Sequence, residues 1–121
     1  VKWWRLAAEH GASQGQYSLG VAHHTGTGVI KDDKEAVKWY RLAAEQGDAS
    51  AQCNLGFMYA NGEGVIQDNV FAHMWWNIAA SNGFENAKEY RDEVAEQMTP
   101  VQIEEAQKLA RECVAKDYKG C

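Results

Sequence analysis

Lys31-Asp32-Asp33-Lys34-Glu35-Ala36-Val37-Lys38-Trp39-Tyr40-Arg41-Leu42-Ala43-Ala44-Glu45-Gln46-Gly47 decides how the chain is read, because its second half returns. Val1 to Gly11 (Val-Lys-Trp-Trp-Arg-Leu-Ala-Ala-Glu-His-Gly) is one copy, and His73 to Gly83 (His-Met-Trp-Trp-Asn-Ile-Ala-Ala-Ser-Asn-Gly) is another. Trp3, Trp39 and Trp75 stand 36 residues apart, and so do Gly11, Gly47 and Gly83. A fixed period of a few tens of residues marks stacked helical units, none of which can bury its apolar face without its neighbour.

Outward from this stretch the same period continues. The residues from Ala12 to His24 read as a helix, and its Leu19-Gly20 recurs as Leu55-Gly56. Glycine inside a helix costs about 1 kcal/mol relative to alanine, so close approach of a neighbouring helix is expected there. Thr25-Gly26-Thr27-Gly28-Val29-Ile30-Lys31-Asp32 recurs as Asn61-Gly62-Glu63-Gly64-Val65-Ile66-Gln67-Asp68. This is not a phosphate cradle: no strand precedes it, no third glycine is in register, and no Gly-Lys-Ser/Thr follows. The glycines turn the chain, Val and Ile are expected to tuck into the core, and Asp is the N-cap of the next helix. Asp32 with Glu35 has capping-box spacing. Helices are expected over 33–46, over 48–60 and up to Ser81.

After Gly83 the register is lost, and the Gly-x-Gly loop is missing. Thr99-Pro100-Val101-Gln102 instead opens a helix directly, with Thr99 as N-cap and Pro100 at the first turn. Ile103, Ala106, Leu109, Ala110, Cys113 and Val114 fall on one face of it, with Glu104, Glu105, Lys108, Arg111 and Glu112 on the other, as a capping element requires. The expected organisation is one domain: a partial repeat over 1–11, repeats over 12–47 and 48–83, and capping helices over 84–121. The chain starts inside a unit and without Met, so a mature form or a fragment with upstream repeats is expected. The edge carrying Trp4, Leu6 and Ala7 is then an uncovered apolar patch and a candidate for self-association.

Among the 121 residues, 45% are hydrophobic and 24% charged, an ordinary globular composition, and no run is apolar for the length of a membrane span. Net charge is −5 with pI about 5.3, which argues against nucleic acid. From Glu45 to Glu105 eleven acidic residues face two basic ones, Lys88 and Arg91. A protein or peptide partner carrying positive charge is therefore favoured. Cys53, Cys113 and Cys121 have no zinc-site spacing. A Cys113–Cys121 disulfide, closed by a reversal at Tyr118-Lys119-Gly120, leaves Cys53 unpaired and implies a periplasmic or secreted chain. Two free thiols in the cytoplasm are the alternative.

Ala51, Leu55, Gly56, Tyr59, Gly62, Gly64, Val65, Asp68, Ala72, Trp75, Ala79, Ala80 and Gly83 together resemble the Sel-1-like repeat family, relatives of tetratricopeptide repeats. The first unit departs twice, with Gly15 for the Ala and His23 for the Tyr. Residues 84–121, with their Met-Thr-Pro-x-Gln-Ile start, resemble the C-terminal cap of bacterial members. The resemblance implies an all-α fold: a right-handed α-α superhelix of antiparallel helix pairs with a C-terminal capping helix. It also implies an adaptor that binds other proteins or peptides and needs no cofactor. Some cysteine-rich secreted members are linked to β-lactam binding, so a cell-envelope enzyme or small-ligand binder is the alternative, but this chain lacks their paired cysteine in each repeat.

In such a solenoid the first helix of each unit lines the concave face. The register places Tyr17, Ser18 and His24 there in the first unit, and Cys53, Asn54, Phe57 and Asn61 in the second. Glu89, Tyr90 and Glu93 follow in the third. The expected peptide-binding residues are Tyr17, Ser18, Asn54, Phe57, Asn61, Glu89 and Tyr90: aromatic anchors, polar adaptors and a charge, the mixture that binding surfaces use. Related tetratricopeptide grooves hold an extended chain with an Asn at the place of Asn54. The Trp3-Trp4, Trp39-Tyr40 and Trp75-Trp76 pairs are expected to pack the core. His10, His23, His24 and His73 form no His-x-x-x-His pair and have no carboxylate cluster in register, so no metal is expected. No Ser-x-x-Lys, Gly-x-Ser-x-Gly or His-Glu-x-x-His is present, and no catalytic role is expected.

Overall fold

The computed structural model describes residues 11–121. The expectations for the Trp3-Trp4 pair, for His10 and for the N-terminal edge lie outside the described residues. Among the described residues six helices follow one another: α1 (Ser13–Thr25), α2 (Asp33–Ala44), α3 (Ala49–Asn61), α4 (Asn69–Ser81), α5 (Asn86–Ala95) and α6 (Pro100–Ala115). Helix α1 packs on α2 and α3 on α4, while α2 also meets α3, and α5 and α6 both close on α4. The fold is all-α, built from paired helices.

The repeat is visible in the chemistry of the ends. Asp32 Oδ1 accepts from the Lys34 and Glu35 amides at 3.1 and 3.2 Å, and Asp68 Oδ1 from those of Val70 and Phe71 at 2.9 and 3.1 Å. Asp48 caps α3 through the Ala51 amide. Such caps are each worth about 1 kcal/mol. Glu35 does not return the bond, so the reciprocal box belongs to α6: Thr99 and Gln102 exchange both of its hydrogen bonds, at 2.9 and 3.1 Å. Gly26 and Gly62 end α1 and α3 at φ +75° and +67°, left-handed values that disfavour any side chain. The loops that follow turn only half of their apolar pair inward. Val65 packs on the core, but Ile30 and Ile66 are 89% and 90% exposed. In extended backbone adjacent side chains face opposite ways, so the expectation that both tuck in fails for the isoleucines.

Leu19, Leu55, Met58, Trp75 and Ile78 are fully or almost fully buried, each such side chain contributing about 2 kcal/mol. Tyr40, Trp75 and Trp76 are buried as the core reading requires. Trp39 is not: it stays half-exposed, with the Lys38 ammonium 5.5 Å from its ring centre. The difference follows from α6, which packs on α4 and puts Ala110 and Cys113 in one cluster with Trp75. On α6 itself Ala106, Ala110 and Cys113 are buried, but Val114 turns half-way to solvent. An amide pair also repeats, with a buried acceptor and an exposed donor: Gln46 Nε2 donates to Gln16 Oε1 at 2.6 Å, and Asn82 Nδ2 to Gln52 Oε1 at 2.9 Å. Each ties the start of a first helix to the end of its partner.

Beyond α6, Asp117 and Tyr118 adopt left-handed φ of 52° and 66°, and the chain doubles back. Cys113 and Cys121 form a disulfide with Cα atoms 5.7 Å apart. Tyr118 donates to Asn82 Oδ1, and Lys119 Nζ to the Glu45 carbonyl, so the tail is clasped to the ends of α2 and α4.

Candidate functional site

The two glycines inside helices set the site. A Cβ on Gly20 would lie 2.6 Å from Tyr40 Cδ1, and one on Gly56 would overlap the Trp76 indole nitrogen. The close approach read from Leu-Gly is therefore that of an aromatic ring from the partner helix. Each ring lies across a first helix and becomes the floor of a side-chain cluster.

Around Trp76 the cluster is aromatic. Phe57 lies 5.2 Å from it edge-on, Tyr90 5.7 Å away, and Phe57 and Tyr90 are 4.7 Å apart. Trp76 is fixed by donating Nε1–H to the Cys53 carbonyl at 3.1 Å. These rings line an open cleft of about 260 Å³ between α3, α4 and α5. Asn61, Asn69, Glu93 and Gln97 supply its polar rim, and Ala60 and Val94 complete it.

Around Tyr40 the cluster is polar. Tyr17 stacks at a tilt 6.0 Å away, and His24 meets the ring edge-on at 6.5 Å. Burial pushes the Tyr40 phenol up to about 12, and the Asn54 side chain beside it opposes that rise. His24 Nε2 is 3.4 Å from Glu63 Oε2. Asp33 joins them, so that one ligand atom from each of the three lies within 4.8 Å of the others. The sequence register showed His24 no carboxylate neighbours, whereas the fold brings two.

The expected site residues divide between the clusters. Phe57, Asn61 and Tyr90 line the cleft. Tyr17 and Asn54 gather at Tyr40. Ser18 is half-buried on α1, and Glu89 is exposed on α5, outside the cleft lining. Cys53 corrects the register: it is 1% exposed, and burial pushes its thiol up to about 11. Glu93 and Gln97 line the cleft on the face where helical register puts them, though they are not among the seven expected binding residues, and Trp76 and Asn69 join them from α4. Trp76 was expected only as part of a core pair, and Gly56, which faces its ring, signalled just that some neighbour approaches closely.

Stacked helix pairs of one period, with interdigitating Gly and aromatic positions, define an α-helical repeat protein. The Sel1 repeat model matches residues 1–11, 13–48 and 49–84, and the chain belongs to the Sel1 repeat family. It is similar to the crystal structure of a protective antigen of uropathogenic Escherichia coli strains displaying an SLR fold, at 34% identity and TM-score 0.91. That match covers 97% of this chain and 26% of the antigen, so the chain spans about a quarter of that relative's length. It is also similar to a Sel1 repeat protein from Oxalobacter formigenes, at 40% identity and TM-score 0.73, over 76% of this chain and 69% of that one. No curated protein matches it. No described helix is long and apolar enough to cross a membrane.

Proposed function

We propose that the chain is a protein-interaction module, without catalytic role, that holds a segment of a partner protein in the Trp76 cleft. The observation that carries this reading is the cleft itself, walled by Phe57, Trp76 and Tyr90 and rimmed by Glu93 and three side-chain amides. Aromatic walls supply contact area at low entropic cost, and amides adapt to a peptide backbone. The rim carries one carboxylate and no cation, and Glu89 stands one turn away on the same helix. A basic side chain laid against the rings suits both features. Tyr17, Ser18 and Asn54 extend the same face along α1 and α3 toward the Tyr40 cluster. Residues 84–121 act as the cap that completes the cleft. The Cys113–Cys121 disulfide supports a periplasmic or secreted setting.

A peptide array read against the purified chain tests this. Peptides with Arg or Lys next to an apolar residue are expected to bind. Phe57→Ala is expected to weaken them about thirtyfold, and Glu93→Gln to weaken basic peptides selectively, with circular dichroism unchanged. Binding indifferent to both substitutions would remove the cleft from the function.

A further inference from the structure

We propose that His24, Asp33 and Glu63 form a binding site for a divalent transition-metal ion of zinc type, which clamps one repeat to the next. The three side chains come from separate places: the last turn of α1, the first residue of α2, and the turn after α3. All three are half-buried. The imidazole nitrogen and the Glu63 oxygen are 3.4 Å apart. Two ligands of a tetrahedral zinc ion, at about 2.0–2.2 Å from the metal, are separated by roughly that distance. The Asp33 carboxylate has only to swing inward from within 4.8 Å. Imidazole with two carboxylates is a donor set for zinc-like ions, whereas magnesium and calcium take oxygen alone.

The backbone behind the set is fixed. Gly64 has φ +72°, and a Cβ there would run into the Asp33 carbonyl and stand 3.0 Å from Val37 Cγ2. The turn of the second repeat therefore rests directly on the start of α2, and Glu63 is delivered beside Asp33 by contact of main chain with main chain. His24 is held from the other side by the edge of Tyr40. One cation is already near: Lys31 Nζ lies 2.7 Å from Asp33 Oδ1. Its side chain is 56% exposed, and it pairs with one oxygen, which leaves the other for a metal.

The repeat itself does not require these residues. One period later, the places of His24, Asp33 and Glu63 hold Ala60, Asn69 and Thr99, and one period before Glu63 stands Thr27. Among the described residues, three ligand-type residues converge at the junction between the first and second repeats, where the loop brings them together. Three protein donors leave a fourth position for water.

Titration of the chelator-treated chain with ZnCl2 by calorimetry, with a MgCl2 arm, tests the site. A single equivalent of zinc is expected to bind, with no heat from magnesium, and the melting temperature is expected to rise with zinc. Glu63→Gln and His24→Gln keep size and are each expected to weaken zinc binding by about tenfold or more and to abolish the rise. Circular dichroism without metal checks that both variants fold, and Asp33→Asn provides a third reading. Absence of zinc binding, equal affinity in the variants, or equal binding of magnesium overturns the proposal. None of these outcomes depends on whether the Trp76 cleft takes a peptide.

Discussion

The junction between the first and second repeats and the junction between the second repeat and the cap occupy equivalent places, and the side chains that meet there differ in chemistry. At the first, Tyr40 is the floor, and the Gly62-Glu63-Gly64 turn reaches across so that Glu63 meets His24. At the second, Trp76 is the floor, and the chain leaves α5 for α6 through Met98 and Thr99 with no Gly-x-Gly turn. Thr99, not a carboxylate, stands one period after Glu63, and the cleft is walled by Phe57 and Tyr90. The same scaffold thus gives a polar junction and an aromatic one, and what separates them is one loop together with a few substitutions in register. A repeat that is regular in its core is free to vary where its units meet.

The largest expected effect comes from filling the glycine notches. Gly56→Ala pushes a methyl group into the Trp76 indole and threatens its bond to Cys53, so a loss of about 3 kcal/mol in urea unfolding is expected, at the upper end for overpacking. Gly20→Ala meets the smaller Tyr40 ring and is expected to cost about 1–2 kcal/mol. Equal costs would mean that the two floors are interchangeable and that the contrast lies wholly in the rims.

Next comes the tail. The Cys113–Cys121 loop spans 8 residues, and opening a loop of that size is worth about 2.5 kcal/mol in the chain-entropy account. The double Cys→Ser variant is expected to lower stability by that order while leaving peptide affinity at the Trp76 cleft unchanged, because the tail bonds to Glu45 and Asn82, away from the cleft lining. A parallel loss of affinity would show that the aromatic junction depends on the clasp.

The smallest effect concerns His73, which is buried where the first repeat has Val37. Desolvation first, then the charge of Arg91, holds its imidazole below the usual histidine range. The unfolded chain therefore binds the proton first, and stability is full above about pH 6.5 and falls as pH drops below it. Melting temperatures between pH 7.5 and 5 are expected to fall in the wild type and to fall less steeply in His73→Asn. The same slope in both would assign the pH dependence to other groups.

Much of the architecture was legible because it rests on local chemistry. Period, caps and turns involve residues within a few positions of each other: Asp68 with Phe71, Thr99 with Gln102, and the left-handed glycines at the helix ends. Even the notch at Gly56 showed itself as a helix-weakening residue that needed a packing reason. Phe57, Asn61 and Tyr90 could be placed on one face by helical period alone. Trp76 could not be recognised as their floor, since its register said only that it was buried. Cys53 went to the wrong side because a helix wedged between two neighbours buries more than one stripe.

By itself, then, the sequence determined the repeat, the helix ends and the capping of the stack, since each follows from backbone preferences that a short stretch of chain expresses alone. Only the tertiary structure decided which side chains meet across the junctions. His24 and Glu63 are 39 residues apart, and no periodicity links them. Their meeting depends on a turn of one repeat resting on the helix start of another, and one unit later, at the Trp76 cleft, that turn is absent.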